Sequence, residues 1–442
     1  MTGAALAGLL RERGLPANEI QAKASLFELV IPHMRGDNGP GYAWWVPGRL
    51  EVFGKHTDYA GGRTLVGAVP RGFAVVARPR SDGVLHVVDG KREQDVTLPP
   101  VPARDTAVRQ TGWRHYVDVV QQRLSRNFPG APLGADIAVA SDLPRASGMS
   151  SSSALLIAIA TALTRIGALD RRPEWRANIT GPADVAGYLA CVENGLSFGT
   201  LSGDAGVGTH GGSEDHAAIL TGIPGHLAGF AFVPMRSIGV VAVPEPWRFV
   251  LTPCGVPAQK AGAAREAYNR LSQGAGVLLD LWNGASPAAR SLGAALTGIA
   301  ARTPSSEAVA RLRALVRQSE RPGWPHEALE KRLDHFIRED ARIPEALDAF
   351  RRADATRLGS LAAESQADAE ALLGNQIPET SALPRRAREL GAFAACSFGA
   401  GFGGSVWALV DADRAEVFAR AWYPDAFVAT PGPAVVELNL NS

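Results

Sequence analysis

Cysteine is scarce in this sequence, and neither sign of charge predominates. Cys191, Cys254 and Cys396 are the three cysteines among 442 residues, and they lack CxxC or Cys/His ligand spacing, which argues against a disulfide framework or a zinc site. Lys and Arg number 45 against 44 Asp and Glu, so no overall field attracts nucleic acid or an anionic membrane. No apolar run reaches the roughly 18 residues of a membrane span. We expect a cytoplasmic protein with free thiols and a small-molecule partner.

The first half of the chain predicts interleaved strands and helices. Runs such as AWWV, TLVGAV and FAVVARP, separated by Gly, Pro and Asp between residues 43 and 90, are typical of short strands. The periodicity then predicts a helix over residues 113–124, a strand over residues 134–140 and a long apolar helix from Ser150. The short N-terminal apolar segment is interrupted by arginines, which favours an amphipathic helix over a signal peptide.

The composition changes in the second half. Residues 258–392 are rich in Ala, Arg, Leu and Glu and are predicted to be mostly helical, whereas the last fifty residues return to strands such as VWALV. The segment PEPW near residue 245 interrupts the pattern. With 46% hydrophobic residues, the chain can bury more than one core. We therefore predict two domains, residues 1–245 and 246–442.

A loop of small residues joins a strand to a helix in SDLPRASGMSSSSALLIAIATAL. Gly148 allows close approach of a ligand, and the serines from Ser150 to Ser153 lie at a helix N-terminus, where free N–H groups and the helix dipole favour an anion. No GK[ST] follows, so this is not a Walker-type P-loop. A serine-rich helix cap is the alternative. A second glycine-rich stretch, SFGAGFGGSVWALV, precedes a strand and also permits close backbone approach.

Acidic residues cluster where they could serve phosphoryl transfer. GGSEDHAAIL places Glu214, Asp215 and His216 at a helix start that Ser213 is expected to cap. One carboxylate there could orient or deprotonate an attacking hydroxyl, or the acids could simply complement the helix dipole. Glu193, at the end of an apolar helical run, could bind magnesium together with a serine hydroxyl, or could be solvated.

These motifs together resemble those of the galactokinase branch of the GHMP small-molecule kinases. GRLEVFGKHTDYAGG, from Gly48 to Gly62, resembles the galactokinase sugar-binding signature; PRASGMSSSSAL and FGAGFGGS resemble the second and third family motifs; and WRHYVDVV resembles the segment near the adenine. The resemblance implies an α+β two-domain fold, with an N-terminal domain like domain 2 of ribosomal protein S5 and a C-terminal ferredoxin-like domain. The active site would lie in the cleft between them.

The resemblance also implies roles for individual residues. Asp215 matches the catalytic aspartate and Arg49 the arginine beside the transferred phosphoryl group, while Glu193 with Ser151 or Ser152 matches the Mg²⁺ site. Asp215 and Arg49 would also contact the sugar, together with Lys55, His56, Asp58, Tyr59 and the looser candidate Tyr268. The residues implied to bind ATP are Trp113, Tyr116, Ser147, Gly148, Ser150, Ser151, Ser152 and Ser153. A monomer or weak homodimer is expected.

The sequence departs from the galactokinase pattern in several places. Lys55 stands where galactokinases have a glutamate that holds the C6 hydroxyl of the sugar, Glu51 replaces an asparagine, and the loop between Glu193 and Asp215 is lengthened. Three hypotheses follow. The chain is a 1-kinase for galactose or a related neutral sugar, a 1-kinase for a uronic acid such as galacturonate whose C6 carboxylate pairs with Lys55, or a sensor that binds sugar and ATP with little turnover. A lysine solvated at the pocket rim is the plainer interpretation of Lys55.

Overall fold

A computed structural model describes residues 3–34, 41–101, 110–144, 147–257, 262–297 and 304–438. The strands are β1 (Tyr42–Phe53), β2 (Arg63–Pro79), β3 (Leu85–Asp89), β4 (Gln94–Leu98), β5 (Ala135–Ser141), β6 (His226–Ala231), β7 (Arg236–Ala242), β8 (Trp247–Pro253), β9 (Ala394–Phe398), β10 (Ser405–Asp411), β11 (Phe427–Ala429) and β12 (Val436–Leu438).

The α-helices are α1 (Gly3–Glu12), α2 (Ile20–Val30), α3 (Trp113–Asn127), α4 (Ser151–Ile166), α5 (Pro173–Arg176), α6 (Pro182–Asn194), α7 (Glu214–Thr221), α8 (Gly262–Ala285), α9 (Leu292–Thr297), α10 (Ser306–Gln318), α11 (His326–Arg351), α12 (Ala355–Asp368), α13 (Pro378–Glu389) and α14 (Ala415–Trp422).

An eight-stranded sheet forms the larger layer, and it is covered on both faces. Its main order is β12-β1-β2-β5-β3-β4, with β6 paired to β2 and β7 paired to β6. Successive side chains of a strand point to opposite faces. Trp44 and Val46 accordingly join the core beneath α3 and α4, whereas Ala43 and Trp45 join the core beneath α1 and α2. The continuous apolar run AWWV is therefore explained by burial on both faces.

A smaller four-stranded sheet, in the order β11-β8-β10-β9, is antiparallel throughout. It packs against α12, α13 and α14. The helix α11 reaches across to β1, β2 and β7 of the larger sheet. Side chains of α11 are thereby brought next to the turn that follows β1, which lies roughly 280 residues earlier in the chain.

The structure confirms the mixed α+β fold class and the helices predicted at residues 113–124 and from Ser150. Strands β1 to β7 precede residue 245 and β8 to β11 follow it, but β12 returns to pair with β1. The two-domain division at residue 245 stays a prediction. All three cysteines are free thiols. Within the described residues, no helix is both long and apolar enough to traverse a bilayer.

Candidate active site

A cavity of about 220 Å³ lies where β1, α4, α6, α7 and α8 converge. Five acidic side chains line it, together with one arginine and, among the described residues, no lysine. The sequence-predicted residues in its wall are Arg49, His56, Asp58, Tyr59, Tyr116, Gly148, Ser150, Ser151, Ser152, Ser153, Glu193, Asp215 and Tyr268. Thirteen of the 16 predicted site residues therefore meet in one place, and the other three, Lys55, Trp113 and Ser147, do not line this cavity.

Arg49 and Asp215 form the central ion pair of this cavity. The Nε of Arg49 donates to Oδ1 of Asp215 at 2.6 Å, and Nη1 donates to the carbonyl oxygen of Gly148 at 2.9 Å. Ser153 Oγ donates to the other oxygen of Asp215 at 3.3 Å. The pair thus links β1, the serine loop and α7, and it fixes the Asp215 carboxylate at the cavity wall.

Close approach between β1 and the serine loop depends on Gly48. A Cβ at this position would lie 2.6 Å from Leu143 Cδ2 and 2.7 Å from the Met149 carbonyl oxygen. The neighbouring N–H of Arg49 donates to that same carbonyl at 3.2 Å. Any side chain at position 48 would push the strand and the loop apart, and with them Arg49 and Gly148.

Two further carboxyl groups surround Arg49. Glu214 Oε1 lies 3.1 Å from Nε, and Glu51 Oε2 lies 3.7 Å from Nη2 and accepts from the N–H of Gly399 at 3.1 Å. Burial, followed by the nearby charge of Glu51, raises the pKa of Glu214 well above its usual value. Burial also raises the pKa of Glu51, against the opposing effects of Arg49 and Lys55. Both residues stand out in the sequence, but no local pattern predicts that either lies beside Arg49.

The first turn of α7 is held by Asp58 rather than by Ser213. The structure corrects the predicted cap, because Ser213 occupies the N-cap position without a side-chain hydrogen bond. Instead Asp58 Oδ2 accepts from the N–H of Glu214 at 3.0 Å, and Oδ1 accepts from the N–H of Tyr59 at 2.8 Å. A Cβ on Gly212 would lie 2.1 Å from Asp58 Oδ2, so this contact requires glycine. Asp58 therefore positions Asp215 as well as lining the cavity.

His56, Tyr59 and Tyr268 form an aromatic wall. His56 Nε2 lies 3.1 Å from the carbonyl oxygen of Ala400, which can only accept, so Nε2 carries the proton and Nδ1 accepts from Tyr59 Oη at 3.0 Å. Burial and the charge of Arg332 lower the pKa of His56 to about 3, so the ring is neutral. The His56 and Tyr268 ring centroids are 5.4 Å apart.

Lys55 does not belong to this cavity. Its side chain is 1% exposed, and Nζ donates to Ser365 Oγ at 2.8 Å and to Cys396 Sγ at 3.1 Å. The structure therefore contradicts both a sugar contact and a solvated rim position for this lysine, because α12 and β9 enclose its ammonium group. Glu339, from α11, accepts from the backbone N–H groups of Gly54 and Lys55 at 2.9 and 3.3 Å.

The serine loop separates this cavity from a second one of similar size. The second cavity, also about 220 Å³, is lined by Trp113, Phe73, Val139, Leu143 and Leu155 on its apolar side, and it shares Tyr116, Ser151 and Ser152 with the first. The rest of its lining is polar and comprises Asp89, Lys91, Arg92 and Ser141. The apolar, aromatic side suits a purine ring. Ser147 lines neither cavity, because its hydroxyl donates to the Pro144 carbonyl at 2.8 Å within the loop itself.

Glu193 faces the same cavity as the serine hydroxyls. Its Oε2 lies 3.3 Å from Nε2 of His216, and both side chains are nearly fully buried. The described residues hold no group of three or more His, Cys, Asp or Glu side chains that could bind a metal. A carboxylate with a serine hydroxyl instead fits a cation that takes its remaining ligands from nucleotide phosphates and water.

The lengthened loop between Glu193 and Asp215 contributes to the cavity. Thr209, Gly211 and Gly212 line it, and Asn194 bonds both the N–H of Gly211 at 2.8 Å and the carbonyl of Gly212 at 3.2 Å. Arg123 on α3, fully buried, anchors the loop through the Leu196 carbonyl and Asp204. The insertion itself was the signal in the sequence, but the identities of its cavity residues were not predicted.

Family models match three segments of the chain. The galactokinase galactose-binding signature covers residues 34–79, the GHMP kinases N terminal domain residues 115–195, and the GHMP kinases C terminal model residues 346–429. These three segments contain the Arg49 strand, the serine loop with Glu193, and the glycine-rich loop before β10. The chain therefore carries the N- and C-terminal domains of GHMP kinases together with a galactose-binding signature.

Curated relatives are similar to the chain over most of its length, and a solved structure shares its fold. Galactokinases of Chloroflexus aggregans and Roseiflexus sp. (strain RS-1) are 29% and 28% identical, with 85% and 84% of this chain and the same shares of those proteins covered. The crystal structure of Lactococcus lactis galactokinase complexed with galactose matches 94% of this chain and 100% of its own, with a TM-score of 0.75 and 21% identity. The chain is thus similar over most of its length to galactokinases, which are ATP-dependent sugar kinases, and it carries both GHMP kinase domains and the galactose-binding signature.

Proposed function

We propose that this kinase transfers the γ-phosphoryl group of ATP to the anomeric hydroxyl of galactose or a closely related neutral sugar. The observation that carries the proposal is the Arg49–Asp215 pair, hydrogen-bonded to the serine loop and facing a polar cavity that adjoins a second cavity with an apolar, aromatic side. Sugar and nucleotide would approach from opposite sides of the serine loop. Their reacting groups would then meet beside Asp215.

In this proposal Asp215 accepts or orients the proton of the anomeric hydroxyl, whose oxygen attacks the γ-phosphorus of ATP as the bond to ADP breaks. Arg49 stabilises the charge that develops on the transferred group, and the N-terminus of α4 holds the phosphates. Glu193 and Ser151 or Ser152 would hold magnesium, which neutralises phosphate charge when bound. Trp113 and Tyr116 are proposed to contact the adenine from the second cavity.

The charge of the cavity supports a neutral sugar over a uronic acid. Arg49 is already paired with Asp215 and is surrounded by Glu51 and Glu214. A sugar carboxylate placed there would meet further carboxyl groups, whereas Lys55, the side chain expected to receive it, is enclosed elsewhere. The alternative of a sensor without turnover is not favoured, because the Asp215 carboxylate is already positioned by two hydrogen bonds.

The test is ATP consumption with Mg²⁺, followed through ADP release, over galactose, arabinose, glucose, galacturonate and glucuronate. We expect turnover with galactose or another neutral member of the panel and none with either uronate. Turnover restricted to a uronate would contradict the neutral-sugar assignment. The absence of turnover, in a preparation that binds both ATP and galactose, would instead support the sensor.

A further inference from the structure

His216 is a buried polar side chain without a hydrogen bond. It lies in the first turn of α7, directly after Asp215, and it is 2% exposed and lines the first cavity. Neither Nδ1 nor Nε2 has a hydrogen-bond partner among the described residues. A buried polar atom in that state destabilises the fold unless a ligand satisfies it. The imidazole is therefore available to bind a ligand in the cavity.

The position of Glu193 identifies the kind of ligand. Its Oε2 lies 3.3 Å from His216 Nε2, but outside hydrogen-bonding geometry. Two ligands at right angles around one small divalent cation, each about 2.1 Å from it, are about 3.0 Å apart. A carboxylate oxygen and an imidazole nitrogen at nearly this separation, both in the wall of the cavity, can therefore bind the same ion.

The nitrogen changes which ion the pair should favour. Mg²⁺ is a hard cation that prefers oxygen ligands, whereas imidazole is a good ligand for first-row transition metals, and carboxylates suit both Mg²⁺ and Mn²⁺. A site made only of Glu193 and serine hydroxyls offers oxygen ligands alone, so it would not discriminate against Mg²⁺. A site that adds His216 gains affinity selectively for ions that accept nitrogen.

We propose that His216 binds the divalent cation directly through Nε2, beside Glu193, and that this ligand makes the site prefer Mn²⁺ to Mg²⁺. The inference rests on the proposed function to the extent that the cation arrives with ATP at the serine loop. The alternative role, in which Nε2 only donates a hydrogen bond to Glu193 and fixes its orientation, predicts no bond between nitrogen and the metal.

Pulsed electron paramagnetic resonance of bound Mn²⁺ distinguishes the two roles. The sample is the full chain with Mn²⁺ and an ATP analogue whose β and γ phosphorus atoms are bridged by methylene, so that the bridge contributes no nitrogen. We expect modulation from a directly coordinated nitrogen, changed from the ¹⁴N to the ¹⁵N pattern when histidine alone is ¹⁵N-labelled. Bound Mn²⁺ without histidine nitrogen coupling would overturn the proposal, and this measurement needs no variant.

His216→Gln provides the second readout, with His210→Gln as the matched control, because His210 is exposed and does not line the cavity. We expect His216→Gln to weaken Mn²⁺ binding about 10-fold or more, with little change for Mg²⁺, and the control to bind both ions like the parent chain. Equal losses for both ions would contradict the proposed preference.

Sugar turnover is measured separately with Mg²⁺. Nitrogen coupling without turnover would count against the proposed function alone, and turnover without nitrogen coupling would count against this inference alone.

Discussion

Two buried cations, six positions apart in the sequence, have opposite surroundings in this protein. Arg49 is the centre of what we call the open cluster, with Glu51, Glu214 and Asp215, in the wall of the cavity. Lys55 is the centre of the closed cluster, with Glu339, Ser365 and Cys396, away from that cavity. Both residues lie in one signature segment, so proximity in sequence does not determine which cation lines the cavity.

The pKa values of the carboxyl groups are shifted in opposite directions in the two clusters. Glu214 is 5% exposed and Glu339 is fully buried. Burial and the acidic neighbours Glu51, Asp58 and Asp215 together raise the pKa of Glu214, although Arg49 opposes them. Burial acts in the same direction on Glu339, but Lys55 and Arg342 outweigh it and lower the pKa of Glu339 to about 2. The open cluster has too few cations for its acids, whereas the closed cluster has enough.

The largest effect is expected from Asp215→Asn in the open cluster. The amide keeps the shape of the side chain but cannot accept the hydroxyl proton, so sugar-dependent ATP turnover should fall by about 10²- to 10⁴-fold. The measurement is kcat with galactose at saturating ATP and Mg²⁺. Asp413→Asn, the same change at an exposed position, should leave turnover unchanged. Full activity in Asp215→Asn would remove this residue from the mechanism.

Lys55→Met should affect stability rather than the choice of sugar. It removes the ammonium group beside Glu339 and Ser365, and breaking a buried ionic cluster costs about 3 kcal/mol or more. Chemical denaturation measures the loss. The control is Lys331→Met, because Lys331 forms an exposed pair with Glu327 and should change stability by less than about 1 kcal/mol. A variant as stable as the parent chain, with an altered ratio of galactose to galacturonate turnover, would return Lys55 to the sugar site.

The sequence predicted the residues of the open cluster better than their arrangement. The helices at residues 113–124 and from Ser150 follow from local periodicity, and Arg49, Asp215, Glu193 and the serine loop follow from motifs that resemble a known family. The direction in which the Lys55 side chain points could not be predicted in this way. Its partners Ser365 and Cys396 lie 310 and 341 positions later in the chain, and no local pattern encodes which side chains α12 and β9 bring to the turn after β1.

Long-range packing also explains why the predicted helix cap at Ser213, before α7, was wrong. Ser213 precedes two acids and has the composition of a helix cap, but Asp58 takes that role from 156 positions earlier. A carboxylate accepts more strongly than a hydroxyl when both can reach the same N–H groups. The same limitation applies to Glu51 and Glu214, because their proximity depends on the register between β1 and the first turn of α7.

Glu214→Gln tests the acid excess of the open cluster through pH. Because the folded-state pKa of Glu214 is raised above its usual 4.5, the folded protein binds more protons than the unfolded chain once the pH exceeds that value, and its stability falls as the pH rises. Glutamine cannot ionise, so the melting temperature of the variant should rise relative to the parent chain from pH 4.5 upward. A difference that does not vary with pH would mean that Glu214 is ionised beside Arg49.

Glu339→Gln is the matched comparison in the closed cluster, with the opposite sign. The folded-state pKa of about 2 lies below the usual 4.5, so Glu339 stabilises the protein fully above pH 4.5 and loses that contribution as the pH falls towards 2. The variant should therefore be least stable relative to the parent chain near neutral pH, and the gap should narrow on acidification. Slopes of the same sign in both variants would contradict the distinction between the clusters.

Tyr268→Phe should have the smallest effect and should change kinetics without stability. The ring lines the cavity beside His56, in a region that faces the open cluster. We expect the Tyr268 hydroxyl to bond the sugar. Loss of one such hydrogen bond corresponds to about 0.5–1.5 kcal/mol, or about 2- to 10-fold in KM for galactose, with kcat and the KM for ATP little changed. Tyr423→Phe, in the region of the smaller sheet and outside the cavity, controls for removal of a phenol oxygen. A lower kcat with an unchanged KM would instead place the hydroxyl near the reacting phosphate, because an interaction made only in the transition state changes kcat and leaves ground-state binding intact.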